Sequence, residues 1–186
     1  MLRHRPFAVS VLLVFVVLLS APASVAAQTL CESSLPFNID AGILEPIALA
    51  LLQQSPTFKQ QCLRIATTIV LRVQVRIIPA LRGSRGETTI QRFDTGALRA
   101  EVRVAFGEDY VELLAHEFEH VLEQVDQVRL TDQLSSRQAW ITPTGAFETQ
   151  RATQVGARAR HECALLAAEA LEAGRGTAPR PRNPFD

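Results

Sequence analysis

Residues Leu113 to Asp126 read L-L-A-H-E-F-E-H-V-L-E-Q-V-D, and this stretch limits the fold more than any other part of the chain. Leu114, Phe118, Val121, Leu122 and Val125 recur at helical spacing, which predicts an amphipathic helix with one face made for packing. Gly107 ends the apolar run before it, and Asp109-x-x-Glu112 is a capping box that starts the helix. On such a helix His116 and His120, four residues apart, stand one above the other on one face. Glu117 lies next to that face. The fold must therefore dock the apolar stripe on a core while two imidazoles point at one place.

His116-Glu117-Phe118-Glu119-His120 is an H-E-x-x-H motif. Two neutral imidazoles can hold Zn²⁺, and a neighbouring carboxylate can take a proton from a water on the same ion. The plain alternative is a surface helix with two solvated His. A catalytic zinc usually has three protein ligands, which leaves one to be found. Glu148, just after the Thr142-Pro143-Thr144-Gly145 turn and at the expected start of the last helix, ranks first; a charge there would also suit the helix dipole. His161 ranks second. It lies about 20 Å further along an unbroken helix, so it and Glu148 cannot share one ion. Asp126 ranks third, because six residues past His120 a continuing helix has turned through about 600° and carried it off the His face.

The flanking chain supplies a scaffold. Asp40 is expected to cap a helix to about Gln54, with Ile43, Leu44, Ile47, Leu51 and Leu52 as apolar positions. Ser55-Pro56 ends it and opens a second helix to about Ala66. Thr67 to Ile78 alternates as a half-buried strand, with Ile69, Leu71, Val73, Val75 and Ile77 on one side. Residues 81–87 read as a loop. Thr88 to Phe93 and Ala97 to Phe106 read as two strands around the Asp94-Thr95-Gly96 turn. A small, mostly antiparallel sheet therefore leads into the motif helix, giving an α+β class. Arg129 to Gly145 is a polar loop, with Trp140 pinning it to the core or walling a cleft. Helix resumes from Ala146 to about Ala173 with Phe147, Val155, Leu165, Leu166 and Leu171, and residues 174–186 form a disordered tail rich in Gly, Pro and Arg. One domain, residues 28–173, accounts for the chain.

The first residues read as a targeting segment. Arg3, His4 and Arg5 precede an apolar run from Phe7 to Leu19, and small residues through Ala27 offer cleavage sites. Residues 1–27 are thus expected to be a signal peptide, too short for a comfortable membrane span, and the chain to be exported, periplasmic or secreted. The remainder carries 17 basic and 19 acidic residues, a balance that suggests neither nucleic acid nor an anionic membrane as partner. In an oxidising compartment Cys31 and Cys62 are the likelier pair than either with Cys163.

With its H-E-x-x-H helix and later Ala146-Phe147-Glu148-Thr149-Gln150-Arg151-Ala152 segment, the chain resembles the zincin metallopeptidases, and among them the gluzincin type, over roughly Leu98 to Glu162. The resemblance implies zinc-dependent peptide-bond hydrolysis, with His116, His120 and Glu148 as ligands, Glu117 as general base, and a peptide or protein as substrate. An exposed strand edge, Leu98–Phe106, would pair with the substrate. Tyr110, Arg151 and His161 are candidates for the oxyanion. Thermolysin-like relatives place an Asp four residues after the ligand Glu to orient the first His; here that position is Ala152. The longer metzincin pattern meets Glu123 where Gly should stand. The rival expectations are a zincin-like module that holds metal without turnover and an exported structural domain in which the motif is incidental.

Overall fold

In the computed structural model, which describes residues 34–176, the two alternating segments become neighbouring strands. The strands are β1 (Ile39–Asp40), β2 (Leu71–Ile78), β3 (Gly86–Arg92) and β4 (Leu98–Ala105), in one mixed sheet of order β1-β2-β4-β3. β1 with β2 and β2 with β4 run parallel, while β3 and β4 form the antiparallel hairpin around Asp94-Thr95-Gly96. Two expectations are corrected here. The sheet is mixed rather than mostly antiparallel, and Leu98–Phe106 offers no edge, because β4 lies between β2 and β3. Burial is the physical reason. Ala100, Val102 and Val104 are fully buried, so β4 takes the centre. β3, G-E-T-T-I-Q-R, has no buried residue and tolerates the edge.

Five α-helices complete the described residues: α1 (Glu45–Gln54), α2 (Pro56–Thr67), α3 (Tyr110–Val125), α4 (Leu130–Ser135) and α5 (Gln150–Gly176). Two start signals lie where the sequence puts them, although Glu112 gives its carboxylate to Arg85 and Arg160 and so does not complete the capping box. Ser55 Oγ accepts from Phe58 N at 3.0 Å to cap α2. Asp109 Oδ1 accepts from Val111 N and Glu112 N at 3.1 and 3.3 Å to cap α3. Asp40 does not cap α1. It accepts from Gly42 N at 3.1 Å, a local bond typical of Asp, and a 3-10 turn (Gly42–Leu44) intervenes before α1 begins.

α3 lies on β3 and β4 with Leu114, Phe118, Val121 and Leu122 fully buried, as the stripe demands. Phe118 stacks on Phe58 of α2 with ring centroids 5.1 Å apart. Burial of each such side chain contributes about 1.5–3 kcal/mol. α5 runs along α3, and Gly156 lets it approach. A Cβ there would stand 2.9 Å from Glu112 O and 3.0 Å from His116 Cβ. Glu162 ties α5 to the start of α2, accepting from Ser55 Oγ (2.5 Å), Thr57 Oγ1 (2.7 Å) and Thr57 N (3.1 Å).

The stretch from Arg129 to Gly145 is not all loop: it holds α4 and then β5 (Ala139–Ile141), which pairs antiparallel with β6 (Phe147–Thr149). Trp140 does not pin this hairpin to the core and is 44% exposed. Ile69, expected on the buried side of its strand, is exposed because β2 starts only at Leu71. Leu165, Leu166 and Leu171 are exposed as well, since α5 outruns the body it packs on, and every residue from Ala164 to Ala173 is open to solvent. The helix continues to Gly176, past its expected end. The expected signal peptide, Cys31 with its proposed pairing, and residues 177–186 lie outside the described residues. Among the described residues no helix is long and apolar enough to cross a membrane.

Candidate metal centre

α3 carries His116 and His120 on one face, their ring centroids 4.9 Å apart. Glu148 reaches them from β6, not from the start of the last helix as expected, because α5 begins only at Gln150. Its place is set by the β5–β6 hairpin, in which Glu148 pairs across the strands with Trp140. Glu148 Oε1 lies 3.1 Å from His116 Nε2 and 3.3 Å from His120 Nε2. One donor atom from each of the three residues lies within 4.8 Å of the others. Metal–ligand distances of about 2.0–2.1 Å put neighbouring donors of a tetrahedral shell about 3.3–3.4 Å apart, so the two Glu148–His spacings are compatible with a shared metal ion.

The other ligand candidates are elsewhere. Asp126 is the last-turn cap of α3 and pairs with Arg64 and, at 3.0 Å, with Arg151. His161 is exposed on α5. Nor do the oxyanion candidates line the cleft beside Glu148. Arg151 Nε donates to buried Glu119 at 2.5 Å, and Tyr110 Oη accepts from Gly107 N at 2.9 Å.

Glu117 is 3% exposed. Thr88 Oγ1 of β3 donates to its Oε2 at 2.7 Å. On the other side β3 comes so close that any side chain at position 86 would displace Glu117: a Cβ there would overlap its Oε1 and lie 2.9 Å from Cδ. Burial pushes the Glu117 carboxyl above its ordinary range, outweighing His120, His116 and the Thr88 bond, which lower it. At His120 burial is again the largest influence and disfavours charge, yet hydrogen bonds to Glu123 and Glu148 raise it to about 10. Burial works to raise Glu148, but its bonds to His116 and His120 hold it well below the usual carboxylate range.

Glu117, His120 and Glu148 share a cleft of about 820 Å³ bounded by β3, by the segment before it and by the β5–β6 hairpin. Leu81, Ile90, Leu130 and Phe147 give it apolar surface, and Arg82, Glu87, Arg103 and Gln124 give it polar surface.

Glu123 is the residue that motif reasoning passed over. It is 1% exposed, and its Oε2 lies 2.9 Å from His120 Nδ1. It stands where the metzincin pattern wants Gly and supplies a carboxylate behind the second imidazole, His120, whereas the Asp missing at position 152 would have oriented the first. The signal was present, since residues three apart on a helix are neighbours. No such signal marked Thr88, Gly86 or Gly156, which reach the site from other elements. Comparison of the chain with known protein families, curated proteins and solved structures finds no match in any of the three.

Proposed function

We propose that this chain is a small zinc-dependent hydrolase of the zincin, gluzincin-like kind, cleaving peptide bonds after export. The reading is carried by the convergence of His116, His120 and Glu148 donors within 4.8 Å, at a cleft lined by His120, Glu148 and Glu117. Held by those three residues, a zinc ion would polarise a carbonyl and lower the pKa of a water towards about 7. Glu117 takes the proton of the attacking water and returns it to the leaving amine. The hydrogen bond from Thr88 Oγ1 holds that carboxylate in place. β3, rather than β4, offers its free edge to an extended peptide, with Gly86, Thr88 and Ile90 in the cleft wall.

A second reading, metal held without turnover, is favoured by one observation: Glu117 at 3% exposure has little room to meet a water. One experiment separates the two. Wild type and Glu117→Gln are loaded with zinc, their metal content measured, and both offered a panel of unstructured peptides. Hydrolysis requires one zinc in each protein and cleavage by wild type alone. Zinc in both with no cleavage by either favours the holding module, and a wild type that takes up no zinc ends both readings.

A further inference from the structure

Glu123 belongs to a helix that faces the core at this point, where an ionised carboxylate persists only if its oxygens are held. Both are. Oε2 lies 2.9 Å from His120 Nδ1, and Oε1 accepts from Thr149 Oγ1 at 2.7 Å. Thr149 is fully buried, and its hydroxyl oxygen accepts from Ala152 N at 3.0 Å, which makes it the N-cap of α5. A hydroxyl has one proton to give. With Ala152 N–H already donating to the oxygen, that proton goes to Glu123. With Oε1 taken up by the Thr149 proton, Oε2 is the acceptor that faces His120 Nδ1, and Nε2 is left to face Glu148. Thr149 also follows Glu148 directly in the chain. One dipeptide therefore supplies the acid between the two imidazoles and the hydroxyl that holds the carboxyl group behind one of them.

Resting on the metal site proposed above, the geometry points to Glu123 and Thr149 as a positioning pair that sets the tautomer and aim of His120. It makes tight metal binding depend on the capping of α5. Loss of the hydroxyl frees Glu123 to rotate, and His120 loses the acceptor that fixes its ring.

The test is zinc affinity of the full chain, by competition with a chromophoric chelator, for wild type, Glu123→Gln, Thr149→Val, Thr149→Ser and Glu162→Ala. Glu123→Gln and Thr149→Val are expected to bind zinc about 10–100-fold more weakly, the usual effect of removing such a partner. Thr149→Ser keeps the hydroxyl and wild-type affinity. Glu162→Ala loosens α5 far from the site and keeps wild-type affinity too. Cobalt(II)-loaded Glu123→Gln should show shifted visible absorption bands at saturating metal, which a loss of stability alone does not produce. Wild-type zinc affinity in either Glu123→Gln or Thr149→Val overturns the pair, as does an equal loss in Glu162→Ala. A wild type without zinc affinity overturns the site and the pair with it. If Thr149→Val fails to fold, Glu123→Gln, which keeps shape and volume, decides alone.

Discussion

Gly86→Ala adds one methyl group, and the geometry says where it goes. The residue is not in the left-handed region, so an alanine there is not strained by its backbone. In such a position the change ordinarily stabilises a protein by about 0.4–1 kcal/mol, because the unfolded chain has fewer states to lose. Here the new Cβ would overlap Glu117 Oε1 and press on Cδ at 2.9 Å and Cγ at 3.1 Å. Glu117 is almost fully buried and tied to Thr88, so its side chain must swing by roughly 1 Å and strain or lose that bond. Overpacking of this kind costs about 1–3 kcal/mol. The net expectation is a loss of about 1–2 kcal/mol, or roughly 2–8 °C in Tm for a chain of this size. Zinc content should hold, because His116, His120 and Glu148 are untouched. On the proposed hydrolysis, turnover should fall about 100-fold, the loss a 1 Å misplacement of the general base can cause. Urea unfolding, metal analysis and a peptide assay read the three effects. A Gly86→Ala protein as stable as wild type and fully active would refute the close packing of β3 on Glu117.

Three other outcomes test the architecture. Glu162→Ala removes three hydrogen bonds to a carboxylate and should cost about 1–3 kcal/mol in urea unfolding. Burial raises the Glu162 carboxyl, but its bonds to Ser55 and Thr57 lower it further, so its folded pKa is depressed. Its stabilisation is therefore complete above the ordinary carboxylate range and fades as pH falls from that range through the depressed folded value, and the gap between wild type and variant should close on acidification. Gly156→Ala places a methyl 2.9 Å from Glu112 O and 3.0 Å from His116 Cβ, so α5 must retreat from α3. The helix gains about 1 kcal/mol of propensity, yet both Tm and zinc affinity should fall, and a rise in either contradicts the packing. Trp140, the single tryptophan of the chain, sits across the hairpin from Glu148. Cobalt(II) should quench its emission to a 1:1 endpoint in wild type and not in His116→Ala; equal quenching in both would mean the metal binds elsewhere.

The local chemistry of α3 was legible before any fold was known. The stripe from Leu114 to Leu122, the Asp109 cap and the one-turn spacing of His116 and His120 depend on helix periodicity, which a few consecutive residues fully specify. The same holds for the Ser55-Pro56 helix start and the Asp94-Thr95-Gly96 hairpin. Glu148 was ranked first among the ligand candidates from its place beside the turn, though with the wrong secondary structure. A three-residue strand such as β6 has too few positions to show a period.

Tertiary structure decided the rest. The strand order put β4 inside the sheet and β3 at its edge, because pairing is chosen by which strand must bury both its flanks and not by chain order. It brought Thr88 and Gly86 to Glu117, and Gly156 to His116, across gaps of 29 to 40 residues that no local pattern spans. It also moved Glu123 from a break in a motif to a partner of His120 and Thr149. Sequence alone determined which side chains one helix shows on one face. What those side chains meet was settled by burial, since apolar surface on several distant segments has to leave water together, and only the complete core says which backbone then lies beside which carboxylate.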